Sequence, residues 1–223
     1  MEAGVDMTSP IIAVATMKGG SGKSTVASCL AVYWHLAGRR PTLIDADPQQ
    51  SIMRIAARER ALGHLPVVGG ATDAAAKTAR QHARNGELVI IDTPGFRSKR
   101  TLACVAEADF VLVPLKASPF DVDRMFDILP FLTDGSDRGR PLFRCLLTQT
   151  TQNSVISRHI RAELAEAGIP VLRSEMTNRV SYPEATLWGA TPTLIDRKSD
   201  AAREIAAVAD EIDAVLQSRK AAA

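Results

Sequence analysis

Short runs that are apolar at nearly every position recur along the 223-residue chain, and they constrain its fold more than any other feature. A strand that is apolar on both faces is typical of a parallel sheet covered by helices on both sides. We predict buried strands from the runs at residues 11–16, 41–45, 65–68, 88–92, 110–115, 142–148 and 170–172. Helix-compatible segments alternate with them, at residues 24–36, 51–62, 73–85, 99–107, 121–133, 155–167 and 199–216. This alternation predicts a single α/β domain with a doubly wound, mostly parallel sheet and helices on both faces.

The composition excludes several classes of protein. With 46% hydrophobic and 23% charged residues the chain is globular, and no apolar run approaches the ~20 residues that span a bilayer. The three cysteines form no CxxC pair, which argues for a reducing cytoplasm and against a disulfide framework or a thiolate metal site. The net charge is only +2, so any surface that attracts nucleic acid must be local. We expect the domain to cover residues 11–218, between a short extension (1–10) without the features of a secretory signal and a frayed tail (219–223).

A glycine-rich segment, MKGGSGKST at residues 17–25, separates the first predicted strand from the first helix. Glycines let successive backbone N–H groups turn inward around phosphate oxygens, a lysine at the helix start contacts the outer phosphates, and a hydroxyl binds Mg²⁺. The positive end of the helix adds to the attraction. We therefore expect a nucleotide to contact Gly19, Gly20, Ser21, Gly22, Lys23, Ser24 and Thr25, with Lys23 also catalytic and Ser24 also a metal ligand. The alternative is a glycine-rich turn whose lysines are merely solvated.

Two acidic sites follow two of the predicted strands, and parallel strands bring their carboxyl ends to the same edge of the sheet. Asp47, within the segment DADPQ at 45–49, is placed to orient the water that attacks a γ-phosphate and to help hold the metal. Asp47 followed by Pro48 is also typical of a helix N-cap, and the two roles are compatible. Asp45 is assigned to outer metal coordination or to loop ordering. Asp92, which ends the strand LVIID, is expected to hold Mg²⁺ through its water shell.

With a second lysine, Lys18, at its start, the loop reads KGGxGK[ST] rather than GxxxxGK[ST], and it resembles that of the deviant Walker A ATPases, the ParA/MinD superfamily. The resemblance extends through nearly the whole chain and implies a Mg²⁺-dependent ATPase that acts as a slow, partner-stimulated nucleotide switch. It implies that Lys18 reaches the partner's phosphates in an ATP-sandwich homodimer, and that Asp47 is the acid whose loss abolishes hydrolysis. Thr148 ends a strand at which relatives often contact adenine, although the Asn or Asp signature is missing.

Residues 177–202 resemble the loop–helix–loop segment of ParA-type proteins, which binds duplex DNA without sequence preference. Such binding neutralises phosphates, so basic residues on one face suffice. The resemblance implies association with the nucleoid and stimulation by a ParB-like or other adaptor protein. The candidate DNA contacts are Arg173, Arg179, Arg197, Lys198 and Arg203. The alternative is that these side chains serve only solubility.

The ten residues before the first strand are too few for a helix-turn-helix, which favours the short ParA (ParF-like) subgroup that positions or segregates a plasmid, a chromosome or a protein cluster. Two other functions stay open. A MinD-like membrane-surface switch would need a C-terminal amphipathic membrane helix, whereas residues 205–216 carry an apolar stripe with acidic partners, typical of a helix packed on the sheet. An enzyme in which ATP activates a small-molecule carboxylate usually carries an insert for its substrate, and none is visible.

Overall fold

The structure is a computed structural model, and it describes residues 9–16, 19–70, 74–133, 141–152 and 154–222. Its strands are β1 (Ile11–Val14), β2 (Pro41–Asp45), β3 (Val67–Gly69), β4 (Leu88–Asp92), β5 (Phe110–Lys116), β6 (Leu142–Thr150) and β7 (Val171–Thr177). Its helices are α1 (Lys23–Leu36), α2 (Ser51–Ala56), α3 (Ala75–Arg84), α4 (Lys99–Glu107), α5 (Pro119–Thr133), α6 (Val155–Glu166), α7 (Ser181–Leu187), α8 (Pro192–Ile195) and α9 (Asp200–Ala222). A 3₁₀ turn at Ala61–His64 follows α2.

The strands form one sheet in the order β3-β2-β4-β1-β5-β6-β7, and each neighbouring pair is parallel. The predicted doubly wound α/β domain is confirmed, with a sheet that is parallel throughout rather than mostly parallel. The chain leaves β1 toward one edge of the sheet and later continues from β5 toward the other edge. Because this reversal occurs beside β1, it opens a crevice at the carboxyl ends of the central strands, where such sheets bind their ligands.

Helices cover both faces of the sheet, as consecutive residues of β1 demonstrate. Ile12 and Val14 belong to an apolar core shared with α1 and α9. Ile11 and Ala13 belong to a second core shared with α3, α4, α5 and α6. The burial of both faces explains why β1 is apolar at every position instead of alternating with polar residues.

The segment after β2 differs from the prediction of one helix over residues 51–62. Helix α2 ends at Ala56, and a separate turn follows in which Leu62 and Gly63 are left-handed, with φ of 50° and 70°. The Leu62 amide donates to the carbonyl of Gly189 at 2.7 Å. The chain therefore leaves the helix to pair with the turn after α7, a contact that local periodicity does not report.

The last third of the chain is more regular than predicted. Strand β7 continues to Thr177 rather than residue 172, and the short helices α7 and α8 follow it. Helix α9 continues to Ala222, past the predicted end at 216 and through most of the tail that was expected to be frayed. The apolar stripe of α9, which includes Ile205 and Ile212, is buried against α1, as predicted for a helix packed on the sheet.

The three cysteines are buried and carry free thiols. Burial raises the pKa of Cys29 and Cys145 to about 12 and that of Cys104 to about 11. These thiols therefore stay protonated at neutral pH and are poor metal ligands. Separately, none of the helices in the described ranges combines the length and the apolar content that crossing a bilayer requires.

Candidate nucleotide-binding site

The predicted site residues meet at the carboxyl edge of the sheet, beside the N-terminus of α1. Asp92 at the end of β4 lies in register with Asp45 at the end of β2 and with Val14 at the end of β1. The glycine-rich loop leaves β1 at this point and leads into α1. Three strand ends and one helix start therefore share one location, which the spacing of the sequence motifs predicted.

The described part of the glycine-rich loop has the shape of an anion cradle. Gly20 and Gly22 are left-handed, with φ of 84° and 87°, a conformation that glycine adopts without steric cost. Helix α1 begins at Lys23, and no described side chain caps its first turn, so the N–H groups there are available to an anion. The buried Ser21 lies with its Oγ 3.1 Å from the hydroxyl of Thr16. Met17 and Lys18 lie outside the described residues, so the role of Lys18 stays a prediction.

Ser24 and Asp92 form the centre of the site. The Ser24 hydroxyl donates to Oδ2 of Asp92 at 2.6 Å, and the side chain of Asp92 is fully buried. Burial raises the pKa of Asp92 to about 7, against the opposing effects of the Ser24 hydrogen bond and the Lys23 charge. Its other oxygen, Oδ1, is buried and has no hydrogen-bond partner among the described residues. A buried carboxylate oxygen without a partner, beside a hydroxyl, is the arrangement that a divalent cation would complete.

The protein offers few ligands for such a cation. Within the described ranges, no group of three or more His, Cys, Asp or Glu side chains is placed to hold a metal. Mg²⁺ is commonly held by one or two protein side chains together with phosphate oxygens and water. The Ser24–Asp92 pair therefore fits Mg²⁺ delivered with a nucleotide better than a metal held by protein alone.

The structure separates the roles of Asp45 and Asp47. The buried Asp45 accepts from the amides of Ile52 and Met53 at 2.9 and 3.0 Å, and it also accepts from the amide of Asp47. Burial raises the pKa of Asp45, although these three hydrogen bonds oppose the shift. Asp45 thus satisfies the first turn of α2 and orders the loop, which is one of the two roles predicted for it.

Asp47 does not cap a helix, and that part of its prediction is wrong. Helix α2 begins at Ser51, and the residue before it is the left-handed Gln50. Asp47 instead closes a turn, because its Oδ1 accepts from the amide of Gln49 at 2.8 Å and its carbonyl accepts from Gln50. The side chain is only partly buried, and its charge is close enough to raise the pKa of Asp92. Asp47 therefore lies near Asp92 at the carboxyl edge of the sheet.

A cavity of about 320 Å³ opens on the side of the loop toward β7 and α7. Gly22, Thr25 and Val26 form one wall, and the ends of β6 and β7, the turn after β7 and helix α7 form the other. The residues of that second wall are Thr148, Gln149, Met176, Thr177, Asn178, Arg179, Tyr182, Pro183 and Thr186. Its size and its position beside the helix start suit the base and sugar of a nucleotide.

Thr148, the predicted adenine contact, lines this cavity but uses its hydroxyl elsewhere. The hydroxyl donates to the carbonyl oxygens of Ser21 and Leu115, at 3.0 and 3.1 Å. The side chain is buried, with 3% of its surface exposed. Its hydroxyl therefore ties the glycine-rich loop to the ends of β5 and β6, and because its proton is used there, the hydroxyl oxygen could meet a base only as an acceptor.

One carboxylate that no sequence motif marks, Glu204, organises the cavity wall. Glu204 of α9 accepts hydrogen bonds from the amide and hydroxyl of Thr177, from Nε of Arg179 and from the hydroxyl of Tyr182. Burial is the main reason that the pKa of Tyr182 lies well above its usual value. No sequence signal joins these residues, because β7 was predicted to end before Thr177 and Glu204 belongs to a helix that follows more than twenty residues later.

Lys116, a second missed residue, ends β5 in register with Thr148. Its ammonium nitrogen lies 3.9 Å from the point that a Cβ atom on Gly20 would occupy. A cation therefore stands against the glycine-rich loop in addition to Lys23. Its position at the end of an apolar strand, PLK at 114–116, is the signal that could have marked it.

The candidate DNA contacts lie in different environments. Arg179 is drawn into the cavity wall, where it pairs with Asp200 at 3.2 Å and with Glu204 at 2.9 Å. Arg173 lies 3.8 Å from Glu211 but exposes 95% of its side chain, and Arg203 pairs with Asp200. Arg197 and Lys198 are exposed in the loop between α8 and α9. Arg179 and Arg203 thus share Asp200 as a partner, but of these two residues only Arg179 lines the nucleotide cavity.

The parallel sheet, the glycine-rich loop and the two acidic strand ends define a P-loop nucleotide-binding protein. A family model described as the CobQ/CobB/MinD/ParA nucleotide binding domain matches residues 12–192 of the chain. The chain therefore belongs to this family, which includes the ParA/MinD proteins that the sequence analysis identified.

Curated relatives match over nearly the whole chain. The chromosome-partitioning ATPase Soj of Thermus thermophilus is 30% identical over 239 aligned positions, which cover 92% of this chain and 96% of Soj. The maintenance of carboxysome distribution protein A of Halothiobacillus neapolitanus is 26% identical, covering 92% of this chain and 94% of that protein. Relatives of this chain are thus named for two different cargoes.

Solved structures share the fold. The ATP complex of a single-substitution variant of Cyanothece McdA superposes with a TM-score of 0.70 at 16% identity, covering 92% of this chain and 97% of that one. The septum site-determining protein MinD of Pyrococcus horikoshii, complexed with Mg-ADP, superposes with a TM-score of 0.71 at 16% identity, covering 92% and 96%. At these identities the likeness supports the architecture alone.

Proposed function

We propose that this chain is a Mg²⁺-dependent ATPase that acts as a nucleotide switch, forming an ATP-sandwich homodimer that binds DNA and positions or segregates a cargo. The observation that carries the nucleotide part is the Ser24–Asp92 pair beside the helix start, in which Oδ1 of Asp92 has no hydrogen-bond partner within the described part of the chain. Membership of the family supports it, as do the relatives named for partition and for carboxysome distribution.

We assign each part of the nucleotide and its Mg²⁺ to different residues of the site. The amides of Gly20 to Thr25 and the ammonium of Lys23 would hold the phosphates, and the cavity beside Gly22 would hold the base and sugar. Ser24 and Asp92 would hold Mg²⁺, the latter directly or through water. When bound, Mg²⁺ supplies positive charge that offsets the charge developing on the phosphates.

Asp47 is assigned to the attacking water. One of its carboxylate oxygens is used by the Gln49 amide, which fixes the orientation of the side chain. The other oxygen is the one that we assign to accepting a hydrogen bond from the water molecule. Lys18 is assigned, by resemblance, to the phosphates of the partner subunit, where a cation stabilises developing charge as an arginine finger does.

DNA binding is assigned to the exposed basic residues rather than to Arg179. Arg197 and Lys198 lie in one exposed loop, and Arg203 follows in the first turn of α9. Arg179 is held by two carboxylates on the wall of the nucleotide cavity. A membrane-surface switch is less well supported, because the apolar stripe of α9 is buried in the core.

Titration calorimetry tests the nucleotide site. ATP should bind the wild-type protein more tightly with Mg²⁺ than with a chelator, and Ser24→Ala should lose that difference. Ser218→Ala, on the exposed side of α9, is the matched control and should behave as wild type. Absence of ATP binding by the wild-type protein would refute the proposal as a whole.

Retention on non-specific duplex DNA, measured with ATP and with ADP across a salt series, tests the second step. We expect ATP-dependent retention that weakens steeply with salt. Binding that is absent at low salt would remove DNA from the proposal and leave the ATPase intact. Sedimentation with anionic vesicles under ATP, in place of DNA retention, would instead support a membrane-surface switch.

A further inference from the structure

Gln149 occupies an irregular position at the carboxyl end of β6. Thr148 pairs with Met176 of β7 while Thr150 pairs with the very next residue, Thr177, so Gln149 is the extra residue of a β-bulge. Its backbone is left-handed, with φ of 53°, a conformation that is strained for a residue with a side chain. Bulges beside active sites commonly redirect a side chain toward the site.

The bulge directs the Gln149 side chain to the glycine-rich loop. Its Nε2 donates to the carbonyl oxygen of Gly20 at 2.9 Å, joining residues that are 129 positions apart. The Thr148 hydroxyl donates to the next carbonyl, that of Ser21. Two consecutive carbonyl groups of the loop are therefore held from the same strand end.

Holding these carbonyls determines where the following N–H groups point. In a planar trans peptide, the C=O and the N–H point in opposite directions, and no cis peptide occurs in the described residues. If Gly20 C=O is held toward β6, the amide of Ser21 must point away from β6, and the same reasoning applies to the amide of Gly22. Those are amides that a phosphate cradle needs to converge on the anion.

We propose that Gln149 is a positioning residue for phosphate: its side-chain amide holds the Gly20 carbonyl and thereby orients the loop amides before the nucleotide binds. The proposal rests on the proposed nucleotide site and assigns a task to a residue outside the glycine-rich motif. Preorganised donors avoid the free energy of ordering the loop upon binding, so the bond contributes to affinity for the phosphates themselves.

Gln149 also lines the cavity assigned to the base, so its role must be distinguished from a base contact. Inorganic tripolyphosphate with Mg²⁺ carries the phosphates without the base, and adenosine carries the base without the phosphates. Both can be measured on the full chain, as competitors that displace a fluorescent ATP analogue. ATP itself is measured by calorimetry.

The variant Gln149→Ala removes the donor, and the control Gln217→Ala removes an exposed amide on α9. Losing one hydrogen bond should weaken ATP and tripolyphosphate by the same factor, about 5- to 10-fold, and leave adenosine unchanged. Gln149→Glu, which replaces the donor with a carboxylate beside a carbonyl, should weaken both phosphate ligands further. A loss of affinity that is confined to ATP and adenosine, or no loss of affinity for any of the three ligands, would overturn the proposal.

Gln149→Gly separates positioning from folding. Glycine relieves the left-handed strain, so the nucleotide-free protein should resist urea at least as well as wild type, while ATP affinity falls as in Gln149→Ala. A variant that loses stability and affinity together would show that Gln149 merely supports the fold, and would overturn the proposal. If the wild-type protein binds neither ATP nor tripolyphosphate, both the proposed function and this inference fail. If the wild-type protein binds both and the Gln149 variants bind them with unchanged affinity, only this inference fails.

Discussion

Asp92→Asn tests whether the site holds a buried carboxylate with one oxygen that no described residue contacts by a hydrogen bond and that a cation would complete. Burial raises the pKa of Asp92 from 3.8 to about 7. With this pKa, the ionised carboxylate destabilises the folded protein by about 4 kcal/mol when no metal is bound. The asparagine keeps the shape and removes the charge, but its amide nitrogen would lack an acceptor at the Oδ1 position, which costs about 1–3 kcal/mol. At about pH 8 we therefore expect Asp92→Asn to be more stable than wild type by about 1–3 kcal/mol.

The pH dependence gives the sharper test, because the amide cost does not depend on pH. The folded protein binds the Asp92 proton more tightly than the unfolded chain does. This difference contributes its full amount to the free energy of unfolding below about pH 4, and the contribution is lost as the pH rises to about 7. Between about pH 5.5 and pH 8 the wild type should lose about 2 kcal/mol relative to Asp92→Asn. Urea unfolding of the metal-free proteins measures both values, with the exposed Asp123→Asn as control.

With Mg²⁺ and ATP bound, the wild-type protein should become more stable than Asp92→Asn. A ligand that binds only the folded state stabilises it by mass action, and Asp92→Asn should lose the part of that gain that depends on Mg²⁺. If the difference in free energy of unfolding between wild type and Asp92→Asn is the same at both pH values, the buried charge of Asp92 does not destabilise the folded protein and the reasoning is refuted. A variant that retains Mg²⁺-dependent tightening of ATP would show that the metal is held by other groups.

Other consequences of the structure can be tested separately. Lys116→Met removes a cation beside Gly20 and should weaken ATP binding about tenfold in calorimetry at low salt, more than it weakens ADP. Glu204→Ala leaves the partners of one carboxylate unsatisfied and should lower the free energy of unfolding in urea by about 2–3 kcal/mol. Asp47→Ala should bind ATP within a few-fold of wild type but release no phosphate, accumulating a dimer in light scattering; rapid turnover would show that another group aligns the water. The paired change Arg197→Ala and Lys198→Ala removes four cations from the dimer, so it should weaken binding to duplex DNA and reduce the slope of log affinity against log salt by about 4, whereas an unchanged slope would place the DNA elsewhere.

The fold could be predicted from the sequence because its strongest signal is local. A buried parallel strand must be apolar at every position, so runs such as LVIID mark the strands and their ends almost to the residue. The glycine-rich loop is likewise written in consecutive residues. Once both were placed, the geometry of parallel strands required Asp45 and Asp92 to lie side by side.

The parts that could not be predicted depend on contacts between distant segments. The cap of α2 comes from Asp45 rather than from Asp47 because the loop folds back on the strand end, which the residue types alone do not specify. The bulge at Gln149 depends on how β6 pairs with β7. The environment of Arg179 depends on Glu204, a residue of α9, and no local sequence pattern pairs these two residues.

The same distinction decides which basic residues can serve DNA. The closer of the two carboxylate partners of Arg179, Glu204, exposes only 15% of its side chain, so breaking that pair would leave a largely buried carboxylate without its cation. The Arg203–Asp200 pair exposes more than half of each side chain, and such pairs contribute only about 0–1 kcal/mol. Asp200 also pairs with Arg179, so a DNA phosphate that replaces Asp200 beside Arg203 leaves Arg179 paired with Glu204 in the cavity wall. The ion pairs thus assign different roles to these basic residues. Arg179 shapes the nucleotide cavity, and the exposed basic residues of the α8–α9 loop and of the start of α9 are available to bind DNA.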